Sequence, residues 1–399
     1  LDCKYIPFYR NRKTTELFIL RNIHFYCICV YFCIKFDDKM KKNRISASLI
    51  DWYDRQKRDL PWRNINDPYR IWISEIILQQ TRVAQGLDYY RRFISRFQDV
   101  ISLAEADEDE VLKYWQGLGY YSRARNLHQA AKTIAEKYNG IFPSLYRDVR
   151  ALKGVGDYTA AAICSFAYGQ PFATVDGNVY RVLSRLFDVD LPIDSTEGKR
   201  FFAELAQQIL SVEDPATHNQ AMMELGATQC LPRNPDCNSC PLQDVCLAYH
   251  RKRVELLPVK QGKTVVKNRF FNYFLVRFGD YIYLNKRTGN DIWKNLFEFP
   301  LIETTEKMAL NELALLSEFR LLFDGVGELS FQLKKENVVH LLSHRRISAD
   351  FYEVEVDCEN DTLKGYQKVH QSDFSNFAIS RLTHILIEDQ TDDKYKLLT

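Results

Sequence analysis

From Ile45 to about His250, apolar residues recur at three- and four-residue spacing in short segments broken by Gly, Pro and Asp, as in "DVISLAEADEDEVLKYWQGLGYYSRARNLHQAAKTIAEKY". Such stripes bury against one another, so this part is expected to be an all-α bundle of many short helices. Near Pro258 the texture changes. "PVKQGKTVVKN" is polar and reads as a linker. The runs after it are strand-like, as in "RFFNYFLVRFGDYIYLNKR", with Gly279-Asp280 as a hairpin turn. A helix-like "EKMALNELALLSEF", a strand-rich "VVHLLSHRRISADFYEVEV" and an amphipathic helix from Phe374 to Ile387 complete an expected α+β domain. The chain is therefore expected to be multidomain: an extension over 1–39, an all-α region over 40–250, a linker over 251–267 and an α+β domain over 268–399.

Composition changes this picture at one end only. Over 399 residues, 46% hydrophobic and 27% charged is the balance of an ordinary soluble globular protein. A net charge of +2 provides no global field for nucleic acid, so any such case rests on local motifs. The early stretch "LFILRNIHFYCICVYFCIKF" is aromatic and β-branched and holds three of the ten cysteines. Arg21, Asn22 and His24 interrupt it before the roughly 20 apolar residues of a membrane span accumulate, and no small-residue cleavage site follows Cys33. Met40 opens "MKKNRISASLIDWYDRQ", which reads as a bacterial start. Residues 1–39 are thus expected to be translated upstream sequence outside the working protein, and no membrane association is expected.

Four cysteines carry candidate chemistry. Cys230, Cys237, Cys240 and Cys246 lie within seventeen residues, "CLPRNPDCNSCPLQDVC". Disulfides are disfavoured in a cytosolic chain, and a zinc knuckle usually shows two C-x2-C arms where this loop has one. The irregular loop, with Pro232 and Pro235 around Asn234, favours a [4Fe-4S] cluster, with zinc as the alternative. Cys164 and Cys358 fall in apolar surroundings and are expected in the core.

The hairpin "LKGVGDYTA", the later "TVDGNVYRVLSRL" and this cysteine spacing together resemble the helix-hairpin-helix DNA glycosylases with an iron–sulfur loop. Within that superfamily, "DPYRIWISEIILQQTRV" and "GLGYYSRARNL" are similar to the adenine DNA glycosylases, the MutY family. The similarity runs from about Leu49 to Cys246. Physically, Gly154 and Gly156 permit positive φ and close backbone approach, so the amides of Lys153-Gly154-Val155-Gly156 can face a phosphate where a helix begins.

Breaking an N-glycosidic bond through an oxocarbenium-like transition state needs an acid for the leaving base and an anion near the sugar. Glu75, inside the apolar "IWISEIIL", is expected to have a raised pKa and keep its proton. Asp176, before a Gly-Asn turn at a helix start, is expected to stay ionised. Taken singly, Glu75 reads as a helix glutamate reaching solvent and Asp176 as an N-cap; the joint pattern favours catalysis. The resemblance implies that Glu75 protonates a flipped adenine and later activates water, that Asp176 stabilises or transiently bonds the sugar cation, and that Asn178 and Tyr158 position sugar and water. It also implies that Gln80 wedges into the base stack, that Thr81, Leu118 and Tyr120 lie by the opposing purine, and that Arg82, Arg123, Arg125, Lys153 and Arg181 are candidates for phosphate contact.

In the C-terminal part, "NDIWKNLFEFPLIE" resembles the "W…EFP" strand of nudix domains. The glutamate cluster that a nudix hydrolase uses for magnesium does not follow Glu298, so a binding role is expected. The resemblance assigns this domain the 8-oxoguanine opposite adenine, read by Ser343 and His344. Leu342 stands where the family has Phe, which removes an aromatic wedge.

The partner so implied is double-stranded DNA holding A:8-oxoguanine or A:G, met by a monomer in the bacterial cytoplasm, on the nucleoid. A sliding clamp and a mismatch-repair protein are further candidate partners. The nearest alternative is an endonuclease III-like enzyme, which has a lysine where Tyr158 stands because only an amine forms the Schiff base that leads to strand scission. A thymine-mismatch glycosylase would keep the tyrosine. A redox sensor built on the cluster is the non-enzymatic alternative.

Overall fold

The computed structural model describes residues 39–262 and 266–388. The extension expected over 1–39 lies outside these residues except for Lys39, where the first helix begins. In chain order the helices are α1 (Lys39–Gln56), α2 (Pro68–Leu78), α3 (Val83–Arg96), α4 (Val100–Glu105), α5 (Glu108–Trp115) and α6 (Ser122–Lys137). After these, α7 (Tyr146–Ala151) and α8 (Asp157–Tyr168) flank the Gly154 turn. Then α9 (Gly177–Leu186), α10 (Thr196–Ile209) and α11 (Pro215–Glu224) lead to the cysteine loop. The helical stretch is therefore all-α, as its spacing requires.

Contacts divide the chain into two units, Pro171–Val259 with the segment up to Arg58, and Asp59–Gln170 with the segment from Lys260. In the first unit, Leu49, Trp52 and Tyr53 of α1 pack with Leu183 of α9, Phe202 of α10 and Met222 of α11. The buried carboxylate of Glu224 is held by Arg58, at 2.7 Å from Nε and 2.8 Å from Nη2, so the ends of α1 and α11 are pinned together. An unpaired charge in that position would cost several kcal/mol.

The second unit holds α2 to α8 and a seven-stranded sheet, in the order β3-β2-β1-β6-β5, with β4 on β1 and β7 on β2. Its long members are β1 (Lys267–Phe278), β5 (Phe331–Leu342) and β6 (Arg345–Glu355); the others are β2 (Tyr281–Lys286), β3 (Phe297–Glu298), β4 (Leu301–Thr304) and β7 (Gln367–His370). β1 runs parallel to β6 from Lys267↔Arg345 to Arg277↔Glu355, and its middle is buried on both faces. β5 and β6 form an antiparallel hairpin whose two-residue turn is Ser343-His344. Gly279, at φ +58, and Asp280 turn β1 into β2, as the sequence indicates.

Three expectations need correction. The helix expected from Phe374 to Ile387 is a 3-10 turn over Gln371–Asn376, an extended segment, and an α-helix from Arg381 to Glu388. Tertiary pairing overrides helical periodicity there: Phe297 N donates to Ala378 O, and Ser380 Oγ accepts from Thr383 N to start the later helix. "EKMALNELALLSEF" likewise breaks into helices over Leu310–Leu313 and Ser317–Phe323. Cys164 is buried as expected, but Cys358 is exposed, its thiol against Gly325 O at 3.2 Å.

Candidate active site

α2 explains how a carboxyl group comes to lie among apolar residues. Asp67 caps it by accepting from Tyr69 N and Arg70 N, and Pro68 fits the first turn, whose amide needs no partner. Tyr69, Ile71, Trp72, Ile73, Ile76 and Ile77 are all buried. Each such side chain is worth about 1.5–3 kcal/mol buried, so the helix sinks into the fold and takes Glu75 with it. Glu75 is 7% exposed, and the Tyr158 hydroxyl donates to its Oε2 at 2.8 Å. Without a partner, burial of a polar group costs roughly 2–7 kcal/mol. The tyrosine beside the glycine turn therefore belongs to the surroundings of the buried carboxyl.

Tyr158 reaches it because α7, the turn and α8 form a helix-hairpin-helix. Gly154 has φ +79, and a Cβ there would lie 2.7 Å from Asn126 Cβ, so glycine is needed twice over. Gly156 differs from expectation: its φ is −91°, and it is the N-cap of α8, with no side chain capping the helix. No protein atom would crowd a Cβ at Gly156, so the backbone at the start of α8 is open to close approach, and no side chain caps its first-turn amides. Lys153 is exposed and Val155 is buried. Arg150 braces the turn through Val155 O at 2.9 Å and Asp157 Oδ1 at 2.6 Å.

Asp176 is the N-cap of α9. Its Oδ1 accepts from Val179 N and its Oδ2 from Asn178 Nδ2, both at 2.8 Å. Burial pushes this carboxyl above the usual range, against the lowering effect of those bonds and of Arg181, so burial offsets the ionisation expected from the helix start. Arg181 turns inward, donating to Asn178 Oδ1 at 2.9 Å, Gly226 O at 2.6 Å and Cys230 O at 2.8 Å. Gly226 lies in a π-helical turn, Leu225–Gln229, and a Cβ on it would come within 2.6 Å of Asn178 Cβ.

The residues expected beside the opposing purine stand on two short segments. Gln80, exposed and at φ +58, follows α2, with Thr81 and the exposed Arg82 after it. In the turn between α5 and α6, Gly117, Gly119 and Tyr120 have φ of +98, +71 and +46. Leu118 there is buried, whereas Tyr120 is 48% exposed and bonds through its hydroxyl to Ser343 Oγ. His344, next to it, is exposed. Arg125 donates to Lys294 O at 2.8 Å, and Nη1 and Nη2 of Arg123 donate to carbonyl groups of both segments. Arg123, Arg125 and Arg181 are thus committed to the scaffold, away from the surface role in which the sequence casts them.

Sequence reasoning misses the support of this turn. Tyr121 OH donates to Ile379 O at 3.2 Å, Ile379 N donates to Gln116 Oε1 at 3.2 Å, and Lys113 Nζ donates to Phe377 O at 3.2 Å. Partners more than 250 residues apart leave no local signal. Arg185 is missed too, yet it is legible: a cation on the buried face of α9, beside Val182 and Leu186, requires buried acceptors.

Arg185 finds those acceptors in the cysteine loop: Leu231 O at 2.7 Å, Pro232 O at 3.1 Å, Val254 O at 2.9 Å and Leu257 O at 3.1 Å, with Cys230 Sγ at 3.4 Å. It ties the two ends of the loop together. Cys230, Cys237, Cys240 and Cys246 line one pocket with Arg185 and Tyr249. Burial pushes the Cys240 thiol up to about 12 and raises Cys237 and Cys246, so bare thiolates are disfavoured. Among the described residues, no three His, Cys, Asp or Glu side chains gather as ligands of a single ion. Tetrahedral zinc would draw its sulfurs to about 3.8 Å from one another. The four thiols line one pocket, a donor set of the kind that holds zinc or an iron–sulfur centre.

Residues 73–208 match the HhH-GPD superfamily of base excision DNA repair proteins, and residues 272–389 match the NUDIX domain. The adenine DNA glycosylase of Buchnera aphidicola subsp. Baizongia pistaciae is 37% identical over 259 residues, 63% of this chain and 72% of that protein. The one from subsp. Schizaphis graminum is 35% identical over 263 residues, 66% and 76% of the two chains. The Homo sapiens protein is 42% identical over 229 residues, 55% of this chain and 42% of its own. With a buried glutamate paired to the hairpin tyrosine in one unit, an N-capping aspartate in the other, and matches to both family domains, the chain belongs to the adenine DNA glycosylases, enzymes of base excision repair.

Proposed function

We propose that this enzyme hydrolyses the N-glycosidic bond of adenine mispaired with 8-oxoguanine or guanine and leaves an abasic site on an intact strand. The observation that carries this reading is the 2.8 Å bond from Tyr158 OH to Glu75 Oε2 in an apolar helix. Glu75 gives its proton to a ring nitrogen of the extruded adenine as the bond to the sugar C1′ breaks. The electron pair leaves with the base, and Asp176 stabilises the resulting sugar cation. Water then adds to C1′, and its proton returns to Glu75. Asn178 holds Asp176 Oδ2, and Tyr158 orients Glu75. A phenol cannot form an imine, so strand scission is not part of the reaction.

Duplex DNA is bound through the amides of the Gly154–Gly156 turn, with Lys153 and Arg82 as exposed cations beside the strand. Gln80 and Thr81, with Leu118 and Tyr120, meet the opposing purine, and Ser343 and His344 read it as 8-oxoguanine. The bond between Tyr120 and Ser343 supports this, because it joins the helical turn to the hairpin of the sheet domain. Cys230, Cys237, Cys240 and Cys246 would hold a [4Fe-4S] cluster. Bound there, it would tie the four cysteines of the loop to one centre.

Glu75→Gln is the test. It should abolish adenine release under single turnover while leaving affinity for an A:8-oxoguanine duplex within about threefold. Adenine release by the variant at wild-type rate would refute the role of Glu75.

A further inference from the structure

A helix leaves its last carbonyls without partners inside the helix. At the end of α2 those of Ile76, Ile77 and Gln79 converge on one atom, Arg123 Nη1, at 2.7, 3.0 and 2.6 Å. The other arm, Nη2, donates to Leu118 O and Gly119 O, each at 3.3 Å. The guanidinium carbon lies 5.2 Å from the centre of the Trp115 ring and 5.7 Å from that of Tyr120. A cation suits the negative end of a helix, and a planar fork holds two segments at once where an ammonium is a point charge. Burial lowers this guanidinium to about 10, which still leaves it charged at neutral pH.

The two segments are the ones assigned above to the mispair. The α2 end continues into Gln80, at φ +58, and the other segment presents Tyr120, at φ +46. Residues held in such backbone regions persist only where their surroundings fix them. We propose that Arg123 is the positioning residue of the mispair-contacting surface: its fork locks the end of α2 to the Leu118–Tyr120 turn, so that Gln80 and Tyr120 meet the duplex in one fixed relation. This rests on the assignment of Gln80 and Tyr120 to the mispair. It replaces the direct phosphate contact that the sequence indicates for Arg123.

The test measures binding to a duplex carrying an uncleavable 2′-fluoro-adenosine opposite 8-oxoguanine, binding to the matched duplex, and single-turnover excision at saturating enzyme. Arg123→Met and Arg123→Lys should each weaken mispair binding at least tenfold, with lysine no better than methionine. Binding to the matched duplex and its salt dependence should stay unchanged, and excision at saturation should stay within threefold of wild type. Equal weakening on both duplexes with a salt slope reduced by about one would identify a phosphate contact and overturn the proposal. Wild-type mispair binding by Arg123→Lys would overturn it too, and so would a tenfold slower excision at saturation with binding intact. If Arg123→Met does not fold, Arg123→Lys carries the test alone, because it keeps a cation at the helix end. Tyr120→Ala separates the two claims: if it leaves mispair affinity intact, the assignment of the turn fails. If it weakens mispair binding while the Arg123 variants do not, only the role of Arg123 fails.

Discussion

The Tyr158 phenol lies 2.8 Å from a carboxylate oxygen of Glu75 in an apolar helix, and in the proposed reaction it orients that group without itself attacking the sugar. Tyr158→Phe removes that bond and keeps the ring. A lost hydrogen bond is worth about 0.5–1.5 kcal/mol, so single-turnover excision should slow roughly threefold to tenfold with mispair affinity unchanged. Tyr158→Lys should introduce a borohydride-trappable adduct; its absence would place position 158 away from the sugar. In the proposed reaction, Asp176 sets the acid side of the pH dependence. Burial raises its carboxyl, so as pH falls the anion is lost at a higher pH than for an exposed aspartate, and excision declines there. Arg181 opposes that rise. In Arg181→Gln the acid limb of the pH–rate profile should therefore move to higher pH, and an unmoved limb would assign it to another group. Both carboxyl groups are legible in the sequence because family motifs mark them. The desolvation that shifts Asp176 is not, since it comes from packing that no local spacing encodes.

Among the elements, the turn from Gln116 to Tyr121 depends on the far end of the chain. Ile379 gives its N–H to Gln116 and its carbonyl to Tyr121. Tyr121→Phe leaves that buried carbonyl short of a donor and should destabilise the protein by about 1–3 kcal/mol in urea denaturation. A smaller loss would mean that the remaining bonds suffice. The same pairing explains why the helix expected from Phe374 fails: residues 377 to 379 are drawn out as an extended segment between Phe297 and this turn. The many short helices, the Gly279 turn and the strand-rich run around Ser343 were readable, because their signals are local periodicity and turn chemistry; that this run folds into a hairpin at Ser343-His344 comes from the structure. The inward arginines were not readable. Arg123 sits in a polar-looking stretch and Arg181 between Tyr180 and Val182, and only the fold shows carbonyl groups converging on them.

At the scale of the whole molecule, a helix-hairpin-helix region and a NUDIX domain share one chain, and their relatives share one activity. Within the second unit the sheet domain touches the helical turn through Ser343 and Ile379, which separates two contributions. Ser343→Ala should reduce the preference for adenine opposite 8-oxoguanine over adenine opposite guanine, measured as the ratio of single-turnover rates. An equal loss on both duplexes would argue that Ser343 supports the turn without reading the base. The central claim, excision of adenine without strand cleavage, is tested most directly by one measurement. Duplexes holding adenine opposite 8-oxoguanine, adenine opposite guanine, or thymine opposite guanine are incubated with the enzyme, and strand breaks are scored with and without hot alkali. The account predicts breaks in the adenine strand of the first two duplexes only after alkali, and an intact third duplex. Survival of adenine in both mispairs, or strand breaks without alkali, would contradict it.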